Sequence, residues 1–506
     1  MELELNRSQI SCYEPVLDST VLHEETMEMI VPDACPDILR IVDSAALLCL
    51  RSKEAQEGLA ELSGTARCTV LYQPENAAGL RKLEVNIPFR VSAEGAGLCP
   101  GCLVLAKPRV QAVETRSLNP RKVLVRLNLV IALQAWAPAV KILASSAVCP
   151  EEAGVEQLRE SKSLYLVSAV QEKPFTFSDD IILASNRPAA EEILRSRVNL
   201  LCNESKIIGN KLIFKGEADL RVCYRAQNGD LCNADYELPF SQIMDAGGGG
   251  EEADCNPEVL LTDFSCALAG EDGRTLAVSL GLLGHAVVRE ERSVELLTDI
   301  YSNTCALSPE LQNYESCRLV ERNLRRQGGR ELLETAVTAR SILDASATVL
   351  QVTQSREEGH WTFTAETALA VLYLGENNEA YGVKQLVRVP CNVDLPEGTD
   401  CSCSCKCVGE VFATPSTGGV ELRFDTEFRY LAVENGRLAG VSAVERSELL
   451  PGEGGPSVIL RLAGEARLWD LAKTYRTTIA DIVRANDLSE EEPLGTKMLL
   501  IPRKRA

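Results

Sequence analysis

Four thiols alternate with small or polar residues in Cys401-Ser402-Cys403-Ser404-Cys405-Lys406-Cys407, and Cys99-Pro100-Gly101-Cys102 has the C-x-x-C spacing of redox and metal sites. In an extended strand alternate side chains share one face at steps of about 7 Å, too far apart to close around one tetrahedral zinc unless the chain curls. The run is therefore expected to be an ordinary loop, with metal binding and covalent cross-linking as the sharper alternatives, and no metal ligand is assigned. A C-x-x-C pair gains redox meaning at a helix N-terminus beside a βαβ pattern. Here β-rich sequence surrounds it. Cys99 and Cys102, Cys255 and the four-cysteine run all fall in inter-strand stretches, so a thiol-rich loop should recur and be dispensable for folding.

Other candidate chemistry is sparser. His23, His285 and His360 are the only histidines and share no metal-binding or catalytic spacing. Gly247 to Gly250 followed by Glu251-Glu252 lacks the Gly-Lys-Ser/Thr ending of a phosphate loop and puts acids where phosphate would sit. Alternating Asp and Glu are expected on solvated strand faces. No catalytic residue, metal or cofactor is assigned, and the chain is expected to be non-enzymatic. Nineteen cysteines, an odd number, rule out complete internal pairing, and most are expected to be small buried apolar residues.

The elements that must position these residues are set first by size and charge. A chain of 506 residues exceeds one hydrophobic core, so several domains are expected. Lys plus Arg number 52 against 73 Asp plus Glu, a net charge of -21 that sets nucleic acid aside. The start, Met1-Glu2-Leu3-Glu4-Leu5, puts acids where a secretion signal needs bases. The most apolar span, Val123 to Val140, carries Arg126, Asn128 and Gln134 and alternates like a strand, so no membrane insertion is expected and the chain is read as cytosolic.

Internal similarity decides the architecture. Gly64 to Tyr72, Gly216 to Tyr224 and Ala365 to Tyr373 align, and the tyrosines stand about 150 residues apart. Leu212, Phe214, Ala218, Leu220, Val222 and Tyr224 alternate with polar residues, the period of a half-buried strand. Leu62, Ala66, Cys68, Val70 and Tyr72 keep the frame, as do Trp361, Phe363, Leu369, Val371 and Tyr373. A hairpin partner ends in Pro88-Phe89, Pro239-Phe240 or Val389-Pro390. A later strand follows in each copy: Val123, Val125, Leu127, Leu129; Leu276, Val278, Leu280, Leu282; and Val420, Leu422, Phe424, Phe428. A leader of short helix or turn, Pro36-Asp37-Ile38-Leu39-Arg40 against Glu191-Glu192-Ile193-Leu194-Arg195, is expected in the first two copies and missing from the third. The copies are read as domain-sized beads rather than a solenoid.

This pattern resembles the SPOCS family of endospore-forming bacteria, with its Ile-Leu-Arg-like leader, its strand ending in Val-x-Tyr and its Leu-Pro-Phe-like strand. The resemblance implies a role in assembling the spore coat. The expected fold is mainly β, with SPOCS-like modules at 10–145, 165–303 and 304–447.

Leu450-Pro451-Gly452-Glu453-Gly454-Gly455-Pro456 reads as a linker with few contacts across it. Beyond it Val458, Leu460 and Leu462 alternate as a strand, and Leu468, Leu471, Ala472 and Tyr475 fall on one helical face. Thr478-Ile479-Ala480-Asp481 starts a second helix that Asn486 can close, and Leu499-Leu500-Ile501-Pro502 is a closing strand. This segment is slightly basic, with nine Lys or Arg against seven Asp or Glu from Ser457 to Ala506. Leu468-Trp469-Asp470-Leu471-Ala472-Lys473, Tyr475, Thr477-Thr478, Asn486-x-Leu488, Leu494-Gly495 and the closing strand resemble a LysM domain, expected as a small β-α-α-β unit at 457–506. LysM domains bind N-acetylglucosamine-containing glycans. Where that family has Gly-Asp-Thr or Gly-Asp-Ser before Leu-Trp, this chain has Glu465-Ala466-Arg467, which loses small and hydroxyl-bearing residues and gains a cation.

SPOCS modules joined to LysM resemble the spore-morphogenesis architecture in which LysM binds protein. The implied function is anchoring at the forespore surface, in the mother-cell cytoplasm, through the coat's basement-layer ATPase or other coat proteins. A peptidoglycan-binding cell-wall or cortex protein is the alternative, and a thiol or metal protein the second. The candidate partner-binding groove holds Arg467, Trp469, Asn486, Asp487 and Leu488. Trp469 has two readings, closing the small core or touching the partner directly.

Overall fold

The computed structural model describes residues 3–77, 79–150, 154–247, 250, 252–357, 360–447, 457–462, 466–488 and 498–503. The chain is mainly β, built as several small sheets. Its first stretch carries β1 (Glu4–Ile30), β2 (Ile38–Gln56), β3 (Leu59–Pro74), β4 (Arg81–Glu94), β5 (Leu103–Asn119) and β6 (Lys122–Val148). The second carries β7 (Val155–Ile182), β8 (Ala190–Ile208), β9 (Lys211–Ala226), β10 (Leu231–Asp245), β11 (Asp254–Cys255), β12 (Glu258–Ala269) and β13 (Thr275–Ser302). The third carries β14 (Ala306–Glu334), β15 (Ala339–Glu357), β16 (His360–Gly375), β17 (Ala380–Asp394), β18 (Asp400–Ser416) and β19 (Gly419–Ser447). Last come β20 (Val458–Leu462), α1 (Leu468–Tyr475), α2 (Ile479–Asn486) and β21 (Met498–Pro502). No helix among the described residues is long and apolar enough to cross a membrane.

Three antiparallel sheets have the orders β2-β3-β4, β8-β9-β10 and β15-β16-β17. The long strands pair differently. β6 lies between β1 and β5, β13 between β7 and β12, and β19 between β14 and β18. A single bridge between Tyr13 and Val167 joins the first two of these sheets. Every residue of the apolar rows in β3, β9 and β16, and of the later rows in β6, β13 and β19, is buried. Alternation forces that outcome, because a one-residue slip would turn each row to solvent.

Register also explains the glycines. Gly64 pairs with Phe89 and Gly216 with Phe240, while Ala365 pairs with Val389. A Cβ at Gly64 would stand 2.4 Å from the Phe89 ring, and one at Gly216 would stand 2.5 Å from Phe240. The Cys49 and Leu201 carbonyls crowd the same positions, at 2.8 and 2.2 Å, so ring and neighbouring strand together demand glycine there, whereas alanine stands opposite Val389. Val389, rather than Pro390, thus takes the place of Phe89 and Phe240.

The leader differs from expectation. Ile38-Leu39-Arg40 and Glu191 to Arg195 are not helix or turn but the openings of β2 and β8. Ile41, Ile193 and Ile342 pair with Tyr72, Tyr224 and Tyr373. The matching triplets are therefore Ile41-Val42-Asp43, Ile193-Leu194-Arg195 and Ile342-Leu343-Asp344, three residues away from the sequence alignment in the first stretch and present in the third. Each strand shifts register after its isoleucine. Such a bulge re-aims the next side chain.

What those side chains meet is a hub joining all three stretches. Val42, Leu194 and Leu343 share one apolar cluster with Leu71, Cys223 and Leu372. Beside it the buried Arg195 guanidinium bonds Asp43, and its other terminal nitrogen lies 3.3 Å from Asp344. Arg197 pairs with Asp344 at 2.9 Å and Lys384 with Asp43 at 3.1 Å. These groups line a cavity of about 80 Å³. Other contacts cross as well: Cys49 joins the core of the second stretch, Leu260 joins that of the first, and Lys107 pairs with Glu258. The stretches are packed on one another and are not beads. β1 and β7 also begin before the limits of 10 and 165 drawn from sequence.

Candidate docking surface of the C-terminal unit

The C-terminal unit folds around one small core. β20 pairs antiparallel with β21, and Leu471, Ala472, Ile482, Leu499 and Ile501 are buried between helices and strands. The Thr478 hydroxyl accepts from the Asp481 amide at 3.0 Å and caps α2. Arg476 and Asp487 end the helices in left-handed conformations, φ 55° and 52°. The linker 450–456, Glu465, Leu494 and Gly495 lie outside the described residues, as do Gly248, Gly249 and Glu251 of the glycine run.

The five groove candidates occupy different environments. Arg467 is exposed and pairs with Asp470 at 3.1 Å. The Asn486 amide is a clamp: it donates to the Leu500 carbonyl at 2.7 Å and accepts from the Leu500 amide at 2.7 Å, holding α2 to β21. Asp487 is the left-handed cap just named, and Leu488 packs partly buried against the small core. Arg467 and Trp469 are brought to one end of α1, while Asn486, Asp487 and Leu488 lie at the end of α2.

Trp469 is buried, and it faces the chain's own β13. Its indole N–H donates to Asp299 Oδ2 at 2.8 Å, and the Lys473 ammonium bonds both Asp299 oxygens, at 2.7 and 2.8 Å. The Tyr301 ring stands edge-on to the indole with centroids 4.9 Å apart, and its hydroxyl donates to the Thr477 carbonyl at 2.8 Å. Burial pushes the Tyr301 phenol up, so it stays a donor. Lys473 belongs to the Leu-Trp motif but not to the groove candidates, and Asp299 and Tyr301 belong to neither. Lys473 sits one helical turn after Trp469, a spacing that puts both on one face. For Asp299 and Tyr301 no local signal exists. A second hollow of about 350 Å³, lined by Thr477, Asp481, Arg484, Ala485, Pro502 and Arg503, carries two cations against one acid.

The thiols are placed otherwise than expected. Cys401, Cys403, Cys405 and Cys407 lie on β18, paired with Ala432, Tyr430, Phe428 and Thr426 of β19, and they pack against the core of the third stretch. Their alternation is that of a half-buried strand in which thiols serve as small apolar groups. Burial pushes Cys401 up to about 11 and Cys403 and Cys407 up to about 12, and raises Cys405 as well. Cys99 and Cys102 do occupy a turn, with sulfurs 3.6 Å apart. Among the described residues, no group of three or more His, Cys, Asp or Glu is placed to hold a metal ion.

Residues 189–269 match a family model described as SipL, SPOCS domain, a span running from the start of β8 through β12. A comparison with curated proteins finds no match.

Proposed function

We propose that the chain is a non-enzymatic assembly protein of the spore envelope: three SPOCS modules forming a body, and a LysM-type unit that anchors the body to a protein at the forespore surface. The match of residues 189–269 to the SPOCS domain carries this reading and suggests a sporulation or coat-related role. Support for the repetition comes from the three sheets β2-β3-β4, β8-β9-β10 and β15-β16-β17 with their matching tyrosines and bulges. Support for the LysM reading comes from the order β20-α1-α2-β21 and the Asn486 clamp. The site of action on this reading is the mother-cell side of the forespore, with the coat's basement-layer ATPase or another coat protein as partner.

The test is localisation of a fluorescent fusion in sporulating cells. The full chain should form a ring around the forespore, and a chain ending at residue 447 should be diffuse yet folded. A ring that persists without the C-terminal unit would remove its anchoring role. Retention of the full chain on insoluble peptidoglycan, lost with the same truncation, would move the reading to a wall or cortex protein.

A further inference from the structure

Asp299 and Tyr301 stand two residues apart on β13, the spacing that puts side chains on one side of a strand. Both are read by α1 and the turn after it. The carboxylate receives the Trp469 indole N–H and the Lys473 ammonium, the ring meets the indole edge, and the phenol hydroxyl meets the Thr477 carbonyl. Charge-assisted bonds converging on one carboxylate are strong and directional. The edge-to-face pair fixes where the ring must sit relative to it.

Among the described residues, the body adds two apolar side chains to this contact. Tyr301 and Leu158 are its members of the small apolar cluster, and the remainder belongs to the C-terminal unit. The Lys473 side chain keeps 39% of its surface exposed, so a second carboxylate can reach it. A contact of a few point interactions between tethered parts owes its occupancy to effective concentration more than to area. It can be displaced by an external segment of the same chemistry.

We propose that this face of α1 is a recognition site for an extended protein segment carrying a carboxylate two residues before an aromatic ring, and that Asp299 to Tyr301 occupies it as a built-in pseudo-ligand. The inference rests on reading the C-terminal unit as a protein-docking module. Trp469 and Lys473 select the carboxylate, and the indole edge with the Thr477 carbonyl selects a tyrosine-like ring. A partner must compete with the body, so binding frees the C-terminal unit as it engages.

A fluorescein-labelled peptide with the sequence of residues 296–303, Leu-Leu-Thr-Asp-Ile-Tyr-Ser-Asn, titrated with the full-length chain, tests this by anisotropy. The Asp299→Asn chain should bind at least about tenfold more tightly than the unaltered chain, because its own competitor is weakened. Adding Lys473→Met to that chain, or changing the peptide's Asp to Asn, should abolish binding. Tyr301→Phe keeps the ring and removes one hydrogen bond. It should give an intermediate gain, which serves if Asp299→Asn unsettles the end of β13. No binding to either opened variant, or equal binding to all chains, overturns the proposal. A forespore ring that survives truncation at residue 447 would instead remove the docking-module reading while leaving the peptide result standing.

Discussion

Arg195 holds two carboxylates, Asp43 and Asp344, in a site nearly closed to water. Arg195→Met should destabilise the chain by about 3–5 kcal/mol in urea unfolding, since the two acids would face each other with weaker compensation. A loss under about 1 kcal/mol would mean that Arg197 and Lys384 suffice. The acid dependence has a definite sign. Burial alone would raise the Asp344 carboxyl, but Arg197 and Arg195 outweigh it and hold it at about 2. A carboxyl lowered on folding adds stability that is complete above its unfolded pKa of about 4 and is lost as pH falls through about 2; here that is about 2 kcal/mol. The stability gap between the unaltered chain and Asp344→Asn should therefore close between about pH 4 and pH 2, and a constant gap would deny the charge pairing. The β18 thiols make the opposite case, since burial raises them all. Because the thiolate is the nucleophile, they should react with a disulfide reagent at pH 8 far more slowly in the native chain than in urea. Prompt native labelling of Cys405 would put it at the surface. None of this charge logic was legible in the sequence, where Arg195 only closes the Ile-Leu-Arg-like leader and Asp43 and Asp344 belong to no motif. The four thiols misled for a different reason: their place between the hairpin and the later strand suggested a loop, while their alternation already described a strand.

Strands were the most legible level, because a period of two leaves a mark that tertiary structure rarely overrides when one face is buried. The rows ending at Tyr72, Tyr224 and Tyr373 are buried as the alternation predicts. Strand openings were less legible, since a bulge after Ile41, Ile193 and Ile342 breaks the alternation at the place where the three stretches should be aligned. The Ile-Leu-Arg similarity then pulled the first stretch three residues out of step and hid the third. Cross-strand compensation suggests an experiment at this scale. Gly64→Ala would place a Cβ 2.4 Å from the Phe89 ring and 2.8 Å from the Cys49 carbonyl, an overpacking expected to be worth about 1–3 kcal/mol. Phe89→Val in the same chain reproduces the Ala365 and Val389 arrangement of the third stretch and should recover at least half of the loss. A double variant as unstable as the sum of the two single ones would show that the ring is not what excludes a side chain there. α1 and α2 were legible from apolar spacing and the Thr478 cap. What α1 faces was not, because the Asp299 that receives Trp469 lies 170 residues earlier.

At the scale of the whole molecule, the hub changes what a module boundary means. Val42, Leu194 and Leu343 from three stretches meet in one cluster, and Arg195 of the second stretch is shared between acids of the first and the third. Domains with separate cores tolerate damage to one another, whereas stretches that share a core and an ion network unfold together unless the shared contacts are weak. Hydrogen exchange distinguishes the two cases. In the Arg195→Met chain, amides of β2 and β15 should lose protection together with those of β8, although the substitution lies on β8 alone. The C-terminal helices, attached through Asp299 and Tyr301 rather than through the hub, should keep their protection. If faster exchange stays within residues 154–302, the hub is a local ion pair and the three stretches are energetically separate. If it spreads to β2 and β15, the body is one cooperative unit whose centre is a charge triad that no single stretch can complete.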